Sequence, residues 1–274
     1  MTLVYMKITI YFLTAILFIS CKNSSENKEI PANTNQEQIT ASEETEQLPN
    51  EVVIEEDFVN NFDILLPTQY RDWENKNEVD ILTKDWLDLN KKDGKYYLSQ
   101  ADFTIERGYS ECSGDSTKII NSKQKTLLLL NNSSLELGEL TTIKIKKNKI
   151  WPKEKSTFQF GAAEYTFRAE GKVISSEKIS TDNGEELYQK VENYKLYISK
   201  NNGPETLVLQ QQSFNDTFVE LLFIGDLDKD GKPDFIFSAN RDYEEVRVFL
   251  YLSSDAKEGN IIKKVSEVSV QFDC

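Results

Sequence analysis

Phe218-Val-Glu-Leu-Leu-Phe-Ile-Gly-Asp226-Leu-Asp-Lys-Asp-Gly-Lys-Pro-Asp234-Phe-Ile-Phe237 is two apolar runs joined by an acidic loop. Phe218–Ile224 and Phe235–Phe237 are short and rich in aromatic and β-branched side chains, which suit a pleated surface. Both are therefore expected as strands, with the loop closing a hairpin. Similar runs recur outward from this stretch, at 95–105, 117–120, 126–130, 140–145, 157–160, 165–167, 194–199, 206–210 and 246–252. Turn signals such as Asp93-Gly94, Asn131-Asn132, Asp182-Asn183-Gly184 and Asn201-Asn202-Gly203-Pro204 separate them. Thr141-Thr-Ile-Lys-Ile-Lys146 alternates with period two, the pattern of a half-exposed strand. Helical periodicity is confined to short pieces such as 185–191. The expected fold is mainly β, an antiparallel sandwich or open barrel, with the hairpin that carries this acidic loop near the C-terminus.

The loop itself carries chemistry. Asp226, Asp228, Asp230 and Asp234 occupy positions one, three, five and nine, and Gly231 occupies position six. Alternate residues of a tight loop point the same way, so this spacing can gather carboxylates around one hard cation. The backbone carbonyl of Lys232, at position seven, would add a further oxygen, and Gly231 permits the sharp turn. An EF-hand needs flanking helices and a bidentate Glu at position twelve. That position is Phe237, so the EF-hand reading fails. Four close carboxylates repel one another unless a cation or protons relieve them. A solvated acidic turn is the plainer alternative. A second stretch, Asp88-Leu-Asn-Lys-Lys-Asp-Gly94, has the wrong spacing and reads as a turn before the strand at Tyr96.

With Gly225 in front, residues 218–252 resemble the G-D-x-D-x-D-G-x-x-D hairpin of FG-GAP and VCBS-type repeats. That resemblance implies a calcium-binding β-hairpin with the aspartates as ligands. Propellers need four to eight blades, and the motif occurs once here, so only the metal site carries over.

The N-terminus gives the compartment. One basic residue, Lys7, precedes an apolar stretch from Ile8 to Ile19 and then Ser20-Cys21. The apolar stretch is too short to span a bilayer, and residues 1–20 read as a secretory signal peptide. Leu17-Phe-Ile-Ser-Cys21 resembles a bacterial lipobox, with Phe18 in place of the usual Leu. The resemblance implies lipidation at Cys21, with a palmitate-type acyl anchor, and a membrane as the point of attachment. A plain signal peptide or an uncleaved anchor is the alternative. Residues 21–55 contain no aromatic residue and eight Glu against two Lys. Such a segment cannot bury enough apolar surface to order itself, so it reads as a disordered acidic tether. The folded body is then 56–274, with a subdomain boundary between Ser175 and Gly184 as one option. The protein is expected in the bacterial cell envelope, lipid-anchored and facing the periplasm or the exterior.

Of the three cysteines, Cys112 and Cys274 remain once Cys21 is lipidated. An oxidising exterior makes them a candidate disulfide, with two free thiols as the alternative. The formal net charge of −14 argues against a nucleic-acid partner. The chain contains no histidine. This excludes Ser-His-Asp and Cys-His catalysis and His-ligated zinc. Trp73, Trp86 and Trp151 could line a sugar-binding face, but large aromatics more often fill β cores. Two functions follow. One is a non-catalytic, membrane-tethered binding or envelope component with a structural calcium site and an unidentified protein or glycan ligand. The other is a calcium-stabilised polysaccharide hydrolase using a carboxylate pair.

Overall fold

The computed structural model describes residues 58–272 apart from 75, 182 and 183. The expected signal peptide (1–20), the expected tether (21–55), Cys21 and Cys274 all lie outside the described residues. Among the described residues there is no α-helix, and one 3-10 turn spans Glu78–Ile81. The first eight strands are β1 (Ile64–Leu65), β2 (Gln69–Arg71), β3 (Leu87–Lys92), β4 (Lys95–Gln100), β5 (Phe103–Ser110), β6 (Asp115–Ser122), β7 (Thr126–Leu130) and β8 (Gly138–Glu139). The second eight are β9 (Lys155–Phe160), β10 (Ala163–Thr181), β11 (Gly184–Lys200), β12 (Glu205–Ser213), β13 (Glu220–Gly225), β14 (Asp234–Ser238), β15 (Glu245–Leu252) and β16 (Lys263–Gln271). They form open antiparallel sheets in the orders β1-β7-β3-β4-β8, β2-β6-β5, β12-β11-β10-β9 and β13-β14-β15-β16. None of these closes into a barrel. The fold is mainly β and consistent with a sandwich.

The β13–β16 sheet lies between two apolar cores. Phe223, Ile236, Val248, Leu250, Leu252, Val265 and Val268 face a core shared with β1, β3, β4 and β7, which includes Trp86, Leu89 and Leu128 to Leu130. The alternate residues Leu221, Ile224, Phe235, Phe237, Phe249 and Tyr251 face a second core with Phe167, Tyr194, Leu196 and Ile198. A strand covered on both faces needs apolar residues at every position, and Phe235-Ile-Phe237 meets that requirement. The second core is aromatic: Phe235 meets Phe167 edge-on at 5.3 Å, and Phe237 meets Phe167 at 5.8 Å. Trp86 and Trp151 are core residues, whereas Trp73 is 78% exposed.

Several sequence expectations change. Asp88 lies inside β3 rather than in a turn, and the turn is Asp93-Gly94 alone, with φ of 50° and 83°. The long run 95–105 divides into β4 and β5 at Ala101-Asp102. Residues 185–191 belong to β11, because each of them pairs across to a residue of β10. Thr141–Lys146 forms no strand: only an isolated bridge joins Thr142 to Gly225, with Ile143 N–H donating to Ile224 O at 3.2 Å. Strand β16 carries no strong signal of its own and is held by its register with β15.

The stretch from Ser175 to Gly184 lies on the β10–β11 hairpin. β9 pairs with β10 only over Ala163 to Arg168, and β12 pairs with β11 only from Glu192 onward. Between these limits and the tip, the two strands pair with each other alone. One face of this arm returns to the body through Tyr188, edge-on to Trp151 at 6.1 Å, and through Glu186, 3.6 Å from Lys149. Cys112, between β5 and β6, is disulfide-bonded, and its partner lies outside the described residues.

Burial on both faces makes a specific prediction. Ile236→Ala should cost about 2–5 kcal/mol and Phe237→Ala about 3–5 kcal/mol in denaturant unfolding, although the side chains point in opposite directions. A near-neutral result for either would refute burial on its side.

Candidate metal centre

The loop hangs from the end of the buried sheet. Gly225 ends β13 and Asp234 begins β14, and the two are paired. A Cβ at Gly225 would stand 2.5 Å from the Phe223 ring and 2.7 Å from the Thr142 methyl, so only glycine lets these segments approach. Leu227 is fully buried in the core under the loop and anchors it. Gly231, at φ 82°, takes the left-handed turn.

Asp226, Asp228 and Asp234 each place one carboxylate oxygen within 4.8 Å of the others. Asp234 is completely buried. Its Oδ2 accepts from Leu227 N–H at 2.7 Å and its Oδ1 from Ser253 N–H at 2.8 Å. It thereby fastens the loop to the end of β15. Asp226 Oδ2 accepts from Gly231 N–H at 3.1 Å, while Asp226 Oδ1 is buried without a hydrogen-bond partner. Asp228 accepts from Asp230 N–H and from the Ser254 hydroxyl.

Asp230 is not one of the three. Its oxygens accept from Lys232 N–H at 2.8 Å and from Lys232 Nζ at 2.7 Å, and the Ser253 hydroxyl lies 3.2 Å away. Lys229 reaches Glu136 Oε2 and Leu137 O, each at 3.2 Å. Neither loop lysine therefore pairs with the three clustered carboxylates. Ser253 and Ser254 escaped sequence reasoning because they lie far along the chain, at the end of β15, outside any loop motif.

The electrostatics follow from this geometry. Burial, with the Asp228 charge beside it, pushes the Asp234 carboxyl up to about 8. Burial also raises Asp226, with Asp230 and Asp228 adding to the effect. Burial acts on Asp230 in the same direction, but its hydrogen bonds from Lys232 prevail and hold it below the usual carboxylate range. The donors are all hard oxygens, with no nitrogen or sulfur ligand, which suits calcium or magnesium rather than zinc. Asp88 is a useful contrast. Its Oδ1 is also buried without a partner, but its neighbours are the Thr126 and Ser122 hydroxyls, not other carboxylates. A single proton suffices there, and burial does raise that carboxyl. Three converging carboxylates need more than one proton or a cation.

Comparison of the chain with protein-family models, curated proteins and solved structures finds no match.

Two outcomes are expected. A carboxyl raised in the folded state binds more protons folded than unfolded between about pH 4 and 8, so its contribution to stability falls as pH rises through that window. A cation held by these carboxylates would compete with those protons. The difference in melting temperature between calcium and chelator should therefore widen from pH 5 to pH 8; a difference that narrows contradicts this linkage. Separately, Asp226→Asn removes a buried charge, so in chelator it should stabilise by about 1 kcal/mol, a shift of roughly 2–4 °C. In millimolar calcium the order should invert, with wild type the more stable, as read by differential scanning calorimetry.

Proposed function

We propose that this protein is a membrane-tethered, extracytoplasmic lipoprotein whose β body is braced by one calcium ion, and that it serves as a non-catalytic binding or envelope component. The observation that carries the brace is Asp226 Oδ1, a buried carboxylate oxygen without a partner, grouped with Asp228 and Asp234. A cation there satisfies that oxygen and cancels the repulsion among the three charges. Asp230 and the Lys232 carbonyl complete the proposed shell, with the ion replacing the Lys232 ammonium at Asp230. The D-x-D-x-D-G-x-x-D spacing and its likeness to FG-GAP and VCBS-type hairpins support calcium as the ion. The lipobox-like Leu17–Cys21 and the aromatic-free stretch behind it support the anchored location.

The ion's role in this proposal is to lock strands. Asp234 already bonds the loop at Leu227 and β15 at Ser253, and the cation draws Asp226 and Asp228 into the same knot. A hydrolase would need its perturbed acid within reach of substrate. Asp234, the carboxyl raised to about 8, is fully buried. The cleft beside β9 has one carboxylate in its lining, Glu164, where a glycosidase needs two.

The decisive measurement is thermal melting with calcium and with chelator. At ten times the dissociation constant, calcium should stabilise by about 1.4 kcal/mol, and Asp228→Ala should erase the response. Identical wild-type curves would sink the brace. For the anchor, mass spectrometry of the mature chain should find a lipidated Cys21 at its N-terminus, and an unmodified residue there removes the lipoprotein reading.

A further inference from the structure

A cleft of about 540 Å³ separates β9 from residues 143–147. One wall is an edge strand and the other an irregular segment, and both have unused backbone hydrogen-bonding groups. β9 is the last strand of its sheet and pairs only with β10. An edge strand presents alternate N–H and C=O groups away from its partner. On the opposite wall, the N–H groups of Lys144, Ile145, Lys146 and Lys147 donate to no backbone acceptor among the described residues. This is the stretch with a strand's period-two sequence that nonetheless forms no strand.

The lining is equally specific. Phe158, Phe167, Leu221 and Ile224 form an apolar floor, and Ile143 and Ile145 pack toward the same core. The intervening Lys144 and Lys146 are exposed and pair with no carboxylate among the described residues, whereas Lys147 is held by Glu154 at 2.6 Å and Lys149 by Glu220 at 3.2 Å. Glu164, the one acidic residue in the lining, is bonded by Gln159 Nε2 at 3.2 Å. Two unpaired lysines at the mouth of an apolar cleft stand out in a chain of net charge −14.

We propose that this cleft is a strand-addition site for an extended peptide in which apolar and acidic residues alternate. The added strand pairs its backbone with β9 and with residues 144–147. Its apolar side chains rest on Phe158, Phe167, Leu221 and Ile224, and its carboxylates meet Lys144 and Lys146. Six residues match the length of β9, about 20 Å of extended chain. The inserted strand would join the β9–β12 sheet to the β13–β16 sheet through residues 141–147. The inference rests on the binding role proposed above and names its partner. It is tested apart from the calcium brace, which is read by melting.

The probe is a fluorescent, end-blocked hexapeptide of alternating Glu and Val, titrated against the full chain by anisotropy. Saturable binding is expected. It should weaken at least tenfold with the double variant Lys144→Glu, Lys146→Glu, whose positions are exposed and tolerate substitution. It should also disappear when alternate peptide amides are N-methylated, which removes backbone donors and leaves the side chains unchanged. Absence of binding overturns the proposal and makes the lysines guards of a bare edge. Binding indifferent to N-methylation overturns it as well, since no strand is then being added. Binding of laurate but not of the peptide marks an acyl-chain site and likewise overturns it.

Discussion

The structure depends on the burial of one sheet, β13–β16, on both faces. Apolar area removed from water stabilises by about 25 cal/mol per Å², and a strand covered on both sides gains from every residue rather than from every second one. Phe235, Ile236 and Phe237 are all at most 1% exposed. Two other sheets are organised around this requirement, because β1-β7-β3-β4-β8 faces one side of β13–β16 across a core and β12-β11-β10-β9 faces the other.

That burial also explains why so many carboxylates can meet at one end of β14. An acidic loop on a mobile scaffold would spread its charges apart. Here Leu227 is anchored in one core, Phe235 is anchored in the other, and Gly225 is wedged against Thr142 and Phe223. Asp226 and Asp234 are fixed between these anchors, and repulsion cannot be relieved by rotation. The energy that holds three carboxylates together comes from hydrophobic packing elsewhere in the sheet.

The mainly β fold and the β13–β14 hairpin were legible because strand chemistry and loop spacing are both local signals. Period-two alternation misled at Thr141–Lys146, since alternation reports which face a residue presents and says nothing about whether a partner strand is there. Residues 185–191 misled in the opposite direction: an exposed two-stranded arm imposes little apolar patterning, so a few apolar residues at helical spacing went unopposed. In the acidic loop, the spacing named Asp226, Asp228 and Asp234, which the fold does bring together. It had no means of revealing that Lys232 bonds Asp230 or that Ser253 reaches Asp234, because those contacts depend on the twist of the loop and on the end of β15.

The β10–β11 arm divides the molecule into regions of unequal protection. Between Ser175 and Thr181 on one strand and Gly184 and Lys190 on the other, its backbone pairs with one neighbouring strand, supported by Tyr188 edge-on to Trp151 and by the Glu186–Lys149 ion pair to the body. A two-stranded ribbon with so little support opens as its own cooperative unit, well before the sheets that carry the cores. Deuterium would enter the arm early while β14 stayed protonated.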